Sequence, residues 1–172
     1  MKKTLRLICA LLSLCCVLMT ACGRADATST EPPTGVDEPT VSVSSAHAKA
    51  GEKTVEIPIS VYNNPGILGM TLTLEFDESI LTLKKVDRGD ALRELTFTKP
   101  KDLSDGCRIL WDAESVASSE ATNGVAVILT FSVSDTAPPG DYAVIVRNYG
   151  DVINNDLEPI KMTFEDGIIT VS

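Results

Sequence analysis

Val55-Glu56-Ile57-Pro58-Ile59-Ser60-Val61 and Gly69-Met70-Thr71-Leu72-Thr73-Leu74-Glu75-Phe76 decide the fold of this chain. In each stretch apolar residues take every second position, with polar residues, glycine or proline between them. A period of two sends alternate side chains to opposite sides of an extended backbone, so each stretch predicts a strand with one buried face. Outward from this pair, the alternation predicts strands at 40–45, 54–62, 67–76, 80–86, 95–99, 108–113, 124–133, 142–148 and 167–171. Turn signals punctuate them: Asn63-Asn64-Pro65-Gly66, Asp87-Arg88-Gly89-Asp90, Ser104-Asp105-Gly106, Asn123-Gly124, Pro138-Pro139-Gly140-Asp141 and Asp166-Gly167. Many short strands spaced this way predict an all-β chain, an antiparallel sandwich of about nine strands with jelly-roll topology. Val125–Val133, VAVILTFSV, is almost continuously apolar and predicts a central strand. Pro58 has no N–H to donate and predicts an edge or a bulge at its position. For 114–122, ESVASSEAT, a helical turn and a loop are equally compatible with the residues.

Composition narrows the function. The chain has 172 residues, 44% hydrophobic and 23% charged, which is ordinary for a globular domain. Lys and Arg number 15 against 24 Asp and Glu, a net charge of −9. So acidic a surface repels phosphate backbones and sets nucleic acid aside as a partner. The single histidine, His47, excludes multi-histidine metal sites. Four of the five cysteines (Cys9, Cys15, Cys16 and Cys22) lie in the first 22 residues, leaving Cys107 alone in the body of the chain. No internal disulfide framework can form from one thiol.

Those first residues read as an address. Lys2, Lys3 and Arg6 precede the apolar run Leu7–Met19, whose 13 residues fall short of the roughly 20 that span a bilayer. Leu18-Met19-Thr20-Ala21-Cys22-Gly23 resembles a bacterial lipobox, with small residues before a cysteine that takes a thioether-linked diacylglyceryl group. The expected organisation is a lipoprotein signal peptide at 1–21, a lipidated Cys22 opening a Pro/Thr/Ser-rich linker at 22–39, and a β-sandwich domain at 40–172. Loss of Lys2, Lys3 and Arg6 with the signal would take the charge from −9 to −12. Two or three acyl chains hold a protein firmly, since each buried CH₂ contributes about 0.8 kcal/mol. The expected location is the outer face of the bacterial membrane, at the cell surface.

The order of motifs beyond residue 39 is similar to that of the cohesin modules of cellulosomes. Val41-x-Val43 with Ala50-Gly51-Glu52-Lys53-Thr54-Val55-x-Ile57-Pro58-Ile59 resembles the opening strand, turn and second strand of that family. Gly66–Asp77, Ile80-Leu81-x-Leu83 with Gly89, Asn154-Asn155-Asp156-Leu157 and Phe164-x-Asp166-Gly167-x-Ile169-x-Val171 match later elements in order. The resemblance implies a module that binds dockerins, the calcium-loaded helical tags of secreted polysaccharide-degrading enzymes. It implies no cofactor on this chain, with Ca²⁺ on the dockerin instead, and a monomer. It also implies that docking uses the third, fifth, sixth and eighth strands, here 67–76, 95–99, 108–113 and 142–148. The outward positions of the third strand are Gly69, Thr71 and Thr73, where well-studied members carry an Asn/Asp pair at the first two. A partner outside the best-known dockerin class is therefore expected. Matching Ala113-Glu114 to the family's Ala-Glu places Glu114 at a polar contact and turns Ile109 and Trp111 outward. Alternation alone buries Ile109 and Trp111 and exposes Asp112, because an isolated carboxylate in a core is costly. A bulge near Asp112 would reconcile the two readings.

Catalytic chemistry finds no foothold. The chain contains no G-x-S-x-G, H-E-x-x-H, P-loop or C-x-x-C. Asp151–Asp156 offers oxygen ligands without EF-hand spacing, so a hydrogen-bonded turn is the better reading than a surface Ca²⁺. A non-catalytic binding module is expected. The rival readings are a sandwich that binds polysaccharide directly and a generic surface lipoprotein adhesion domain. A flat glycan site needs several coplanar aromatics, and aromatic residues are 5% of this chain with one Trp. The N-terminal reading is tested by Cys22→Ala, which should convert a membrane-partitioning protein into a soluble or unprocessed one on detergent phase separation. Persistent membrane partitioning of a processed variant would refute the anchor.

Overall fold

The computed structural model describes residues 38–115 and 122–172. Cys22, the expected signal and most of the linker lie outside the described residues, as does 116–121 of the segment left open above. Thirteen strands follow in order: β1 (Thr40–Val43), β2 (Ala46–Ala48), β3 (Val55–Tyr62), β4 (Ile67–Phe76), β5 (Leu81–Arg88), β6 (Thr96–Thr98) and β7 (Arg108–Asp112) come first. They continue with β8 (Gly124–Val133), β9 (Gly140–Asn148), β10 (Val152–Asn154), β11 (Pro159–Ile160), β12 (Thr163–Glu165) and β13 (Gly167–Val171). The architecture is the expected all-β sandwich. One sheet runs β12-β1-β3-β8-β5, and the other holds β6, β7, β4, β9, β13 and β2, with β10 and β11 continuing it.

Alternation sets the packing. Val55, Ile57, Ile59 and Val61 of β3 are fully buried, as are Met70, Leu72 and Leu74 of β4, while Gly69, Thr71 and Thr73 are half-buried on the opposite side. The inward rows of the two sheets meet in one core, where Phe76 of β4 packs edge-on against Phe131 of β8 at 5.2 Å between centroids. Each such side chain removed from water contributes roughly 1.5–3 kcal/mol. β8 lies between β3 and β5, the central place its composition predicts, yet Ile128, Thr130 and Ser132 are half-exposed and the strand buries one main face.

Three features differ from the sequence reading. The strand expected at 40–45 ends at Val43, and past Ser44-Ser45 an unexpected strand, β2, begins at Ala46; β1 and β2 join different sheets and make parallel pairings with β12 and β13. The stretch 149–166 adds three short strands, whose two or three residues are too few to show a period. Pro58 sits in an interior strand, paired with Ile128, rather than at an edge. Its carbonyl accepts from Ser44 N at 2.9 Å, just where β1 departs for the other sheet. N and C=O of a strand residue point to the same side, so the missing N–H faces the end of β1 rather than β8, and the Pro58–Ile128 side of the ladder loses no donor. The expected bulge lies next to it, at Ile59/Ser60.

Gly89 is obligatory at the end of β5. A Cβ there would stand 2.1 Å from the carbonyl oxygen of Val125, so only glycine allows this backbone approach.

Trp111 settles the conflict over β7. The β4–β7 ladder runs without a register shift from Gly69–Asp112 to Thr73–Arg108, so no bulge reverses the alternation. Ile109 and Trp111 are 0% exposed and Asp112 is exposed. The outward placement of Ile109 and Trp111 is therefore corrected: both belong to the core, with Phe97 of β6 5.4 Å from the Trp111 ring. Burying the indole removes more apolar area from water than any other side chain on this strand offers. Trp111 is the only tryptophan in the chain, so its fluorescence should be blue-shifted, resist iodide quenching and not shift when a partner binds. Trp111→Ala should cost about 3–5 kcal/mol of stability by urea unfolding.

Candidate partner-binding face

The four strands implied as a docking face lie side by side in the order β6-β7-β4-β9. Their outward residues form transverse rows, because directly paired residues point to the same side of a sheet. Thr96, Asp112 and Gly69 make one row, and Thr98, Leu110 and Thr71 the next. Arg108, Thr73 and Arg147 make a third, beyond which Glu75 faces Ile145. Tyr149, whose N–H donates to Thr71 O at 2.8 Å, extends the second row just past β9. The middle of the face is therefore hydroxyl and aliphatic, with charge at its margins. β-strand side chains at fixed two-residue spacing present such an array at little entropic cost.

Of the expected site residues, Gly69, Thr71 and Thr73 stand together on this face. Glu114 is exposed, two residues past the end of β7, beside the segment outside the described residues. Ala113 N donates to Leu68 O at 3.1 Å, which ties the residue after β7 to β4. Ile109 and Trp111 point away from the face, as above. Pattern reading passed over Leu110, Arg108, Arg147 and Tyr149. Once Trp111 is taken as inward, i±1 and i±3 along β7 mark Arg108 and Leu110 as outward. Nothing in sequence brings Tyr149 to Arg108.

Two arginines are held differently. The Arg147 guanidinium grips Asp166 with both its forks, Nη1–Oδ1 at 2.7 Å and Nη2–Oδ2 at 3.0 Å. These hydrogen bonds are the main reason the Asp166 carboxyl is held below its usual range, with a further contribution from Val146 N. Arg108 sits over the Tyr149 ring, its guanidinium carbon 3.5 Å from the centroid, a cation–π contact.

Elsewhere, burial pushes the Cys107 thiol up to about 11, so it is protonated and inert at neutral pH. Among the described residues no cluster of three His, Cys, Asp or Glu side chains is arranged to hold a metal ion. In the 154–158 turn Asn154 Oδ1 accepts from the N–H groups of Asp156 at 3.0 Å and Glu158 at 2.9 Å, the hydrogen-bonded turn expected there. His47, the single histidine, is exposed on β2.

Two packed sheets carrying a flat, rigid, mostly uncharged outward face are the architecture of a β-sandwich binding module. Comparison with known proteins names the kind. The cohesin-domain profile matches residues 39–171, and the chain belongs to the cohesin family, whose members are non-catalytic binding modules. It is 25% identical over 165 residues to cellulosomal-scaffolding protein A of Acetivibrio thermocellus, covering 87% of this chain and 9% of that far longer protein. The third cohesin of ScaC from Acetivibrio cellulolyticus, solved in complex with the ScaB dockerin, is 26% identical with a TM-score of 0.68, covering 77% of this chain and 98% of that one. The cohesin of a type I cohesin–dockerin complex from Clostridium thermocellum has a TM-score of 0.69 at 20% identity, covering 79% and 100% of the two chains, and supports the fold.

The Arg147–Asp166 pair supplies a pH test. A carboxylate whose pKa is lowered on folding contributes stability above its unfolded pKa of about 3.9 and loses it as pH falls through the folded value. Both side chains are well exposed, 49% and 35%, so solvent screening limits Asp166→Asn to about 0.5 kcal/mol at neutral pH. That deficit relative to wild type should shrink below about pH 4 in urea titrations.

Proposed function

We propose that this chain is a cell-surface cohesin that recruits dockerin-bearing polysaccharide-degrading enzymes through the β6-β7-β4-β9 face. The observation that carries the reading is the contiguity of Gly69, Thr71, Thr73 and Leu110 on one flat surface. Membership of the cohesin family and the dockerin seated on the 26%-identical relative support it. A lipid at Cys22 would hold the module at the membrane, and the linker up to residue 39 would let it stand off by at most about 60 Å. Calcium would reside on the dockerin. The module acts without chemistry of its own, as a monomeric docking platform.

Direct glycan binding is the weaker reading for a specific reason. Trp111 is in the core, and the exposed ring of Tyr149 carries a guanidinium on one side. No row of coplanar open aromatic rings is present among the described residues to stack on a sugar chain.

Calorimetric titration against each dockerin type of the host, beside a panel of soluble glycans, separates the two readings. Thr71→Asp should weaken a cognate dockerin by about tenfold or more, because an unpaired charge buried in an interface is costly, while leaving the thermal midpoint unchanged. Thr73→Asp should act the same way. Glu114→Ala, at the margin, should change affinity only about two- to threefold. Glycan binding in the absence of any dockerin binding would transfer the function to the rival reading.

A further inference from the structure

We propose that Arg108 is the specificity-determining cation of this face, selecting dockerins that present a carboxylate opposite it; this rests on the reading that the face binds dockerins. Among the described residues, the outward charges of β6, β7, β4 and β9 are Glu75, Arg108, Asp112, Asp141 and Arg147. Arg147 is neutralised by the two-fork contact with Asp166. Asp141 accepts the Thr170 hydroxyl at 2.7 Å at the far end of β9. Arg108 has no carboxylate within ion-pair distance among the described residues; its contact is with the ring of Tyr149, itself 55% exposed.

That contact prepares the arginine for a partner. The ring engages the guanidinium through its charge and, among the described residues, leaves its N–H donors without a hydrogen-bond acceptor. A free arginine surrenders considerable rotamer freedom when it is fixed in an interface; a stacked one has surrendered part of it already. The fork therefore stands ready for a carboxylate, which it can hold with two parallel hydrogen bonds.

The surrounding charges set the register. Asp112 lies two rows from Arg108 in one direction and Glu75 one row away in the other. A partner carboxylate sliding either way along the face meets a like charge, and the chain as a whole carries −9. Attraction at one point and repulsion on both sides is how charge confers specificity rather than bulk affinity. Leu110 and Thr71, in the adjoining row, supply the neutral contact area beside it.

The test titrates the host's dockerin modules, each calcium-loaded, into the full-length chain at low and high salt, with polygalacturonate as an acidic glycan probe. Arg108→Met should weaken the cognate dockerin about tenfold at low salt and flatten the salt dependence. Arg108→Glu should weaken it further, and exchanging the facing acidic residue of that dockerin for Lys should restore binding to the Glu variant. Tyr149→Phe keeps the stack and should bind like wild type, whereas Tyr149→Ala should lose part of the affinity. Lys53→Met removes the same unit of charge off this face, from the pair with Asp135, and should not alter binding. Because Arg108 is exposed, the thermal midpoint of its variants should match wild type, which excludes misfolding as the cause. Equal affinity and equal salt slope for wild type and Arg108→Met would overturn this proposal and leave dockerin binding standing. Binding to polygalacturonate with no dockerin bound would overturn both.

Discussion

Burial of one row of β4 is the constraint on which the rest of the molecule depends. Met70, Leu72, Leu74 and Phe76 face the opposing sheet, and the core closes over them. A slip of one residue would exchange that row for Gly69, Thr71, Thr73 and Glu75, losing several kcal/mol of apolar burial and placing a carboxylate in the core. The phase of β4 is thus strongly determined. One edge of the strand carries β7, and the other carries β9 and then β10, so three neighbours take their register from it. The outward face is the complement of the core row: it is rigid because its other side is packed.

This coupling explains how a face with few large side chains would serve the proposed recognition. Gly69, Thr71 and Thr73 offer little area individually, but their positions cost almost nothing to maintain. Polar and aliphatic groups occupy the centre of the face, and the arginines are spent in different ways at one side. One is internally paired with Asp166, which ties β9 to the segment before β13. The other is stacked on a neutral ring and keeps its charge. Two arginines in a single transverse row therefore do different work, a distinction set wholly by what lies beside each.

Much of the strand plan is legible in the residues. The alternation of 55–61 and 69–76, the turn glycines and the near-continuous run at 125–133 each state a local preference that the tertiary structure does not oppose. On β7 the alternation also carried the right orientation of Ile109 and Trp111, against the placement implied by family resemblance. The reason is that two large apolar side chains and an exposed Asp112 are a direct statement of burial, whereas a match of Ala113-Glu114 is a statement about alignment. The short strands β10, β11 and β12 were not legible. Segments of two or three residues owe their extended form to the ladder beside them rather than to any periodicity of their own.

By itself the sequence determined which residues are buried and which side of each long strand they take, because hydrophobic periodicity is a local property written every second residue. Only the tertiary structure decided which strands are neighbours, and so which outward residues share a row. The crossing of the 40–48 segment between sheets, the place of Pro58 beside that departure and the seat of Arg108 on Tyr149 all depend on chains brought together from distant positions. Contacts across 41 residues, such as that last one, arise from the register of three strands closing on a common core, and no local pattern encodes that closure.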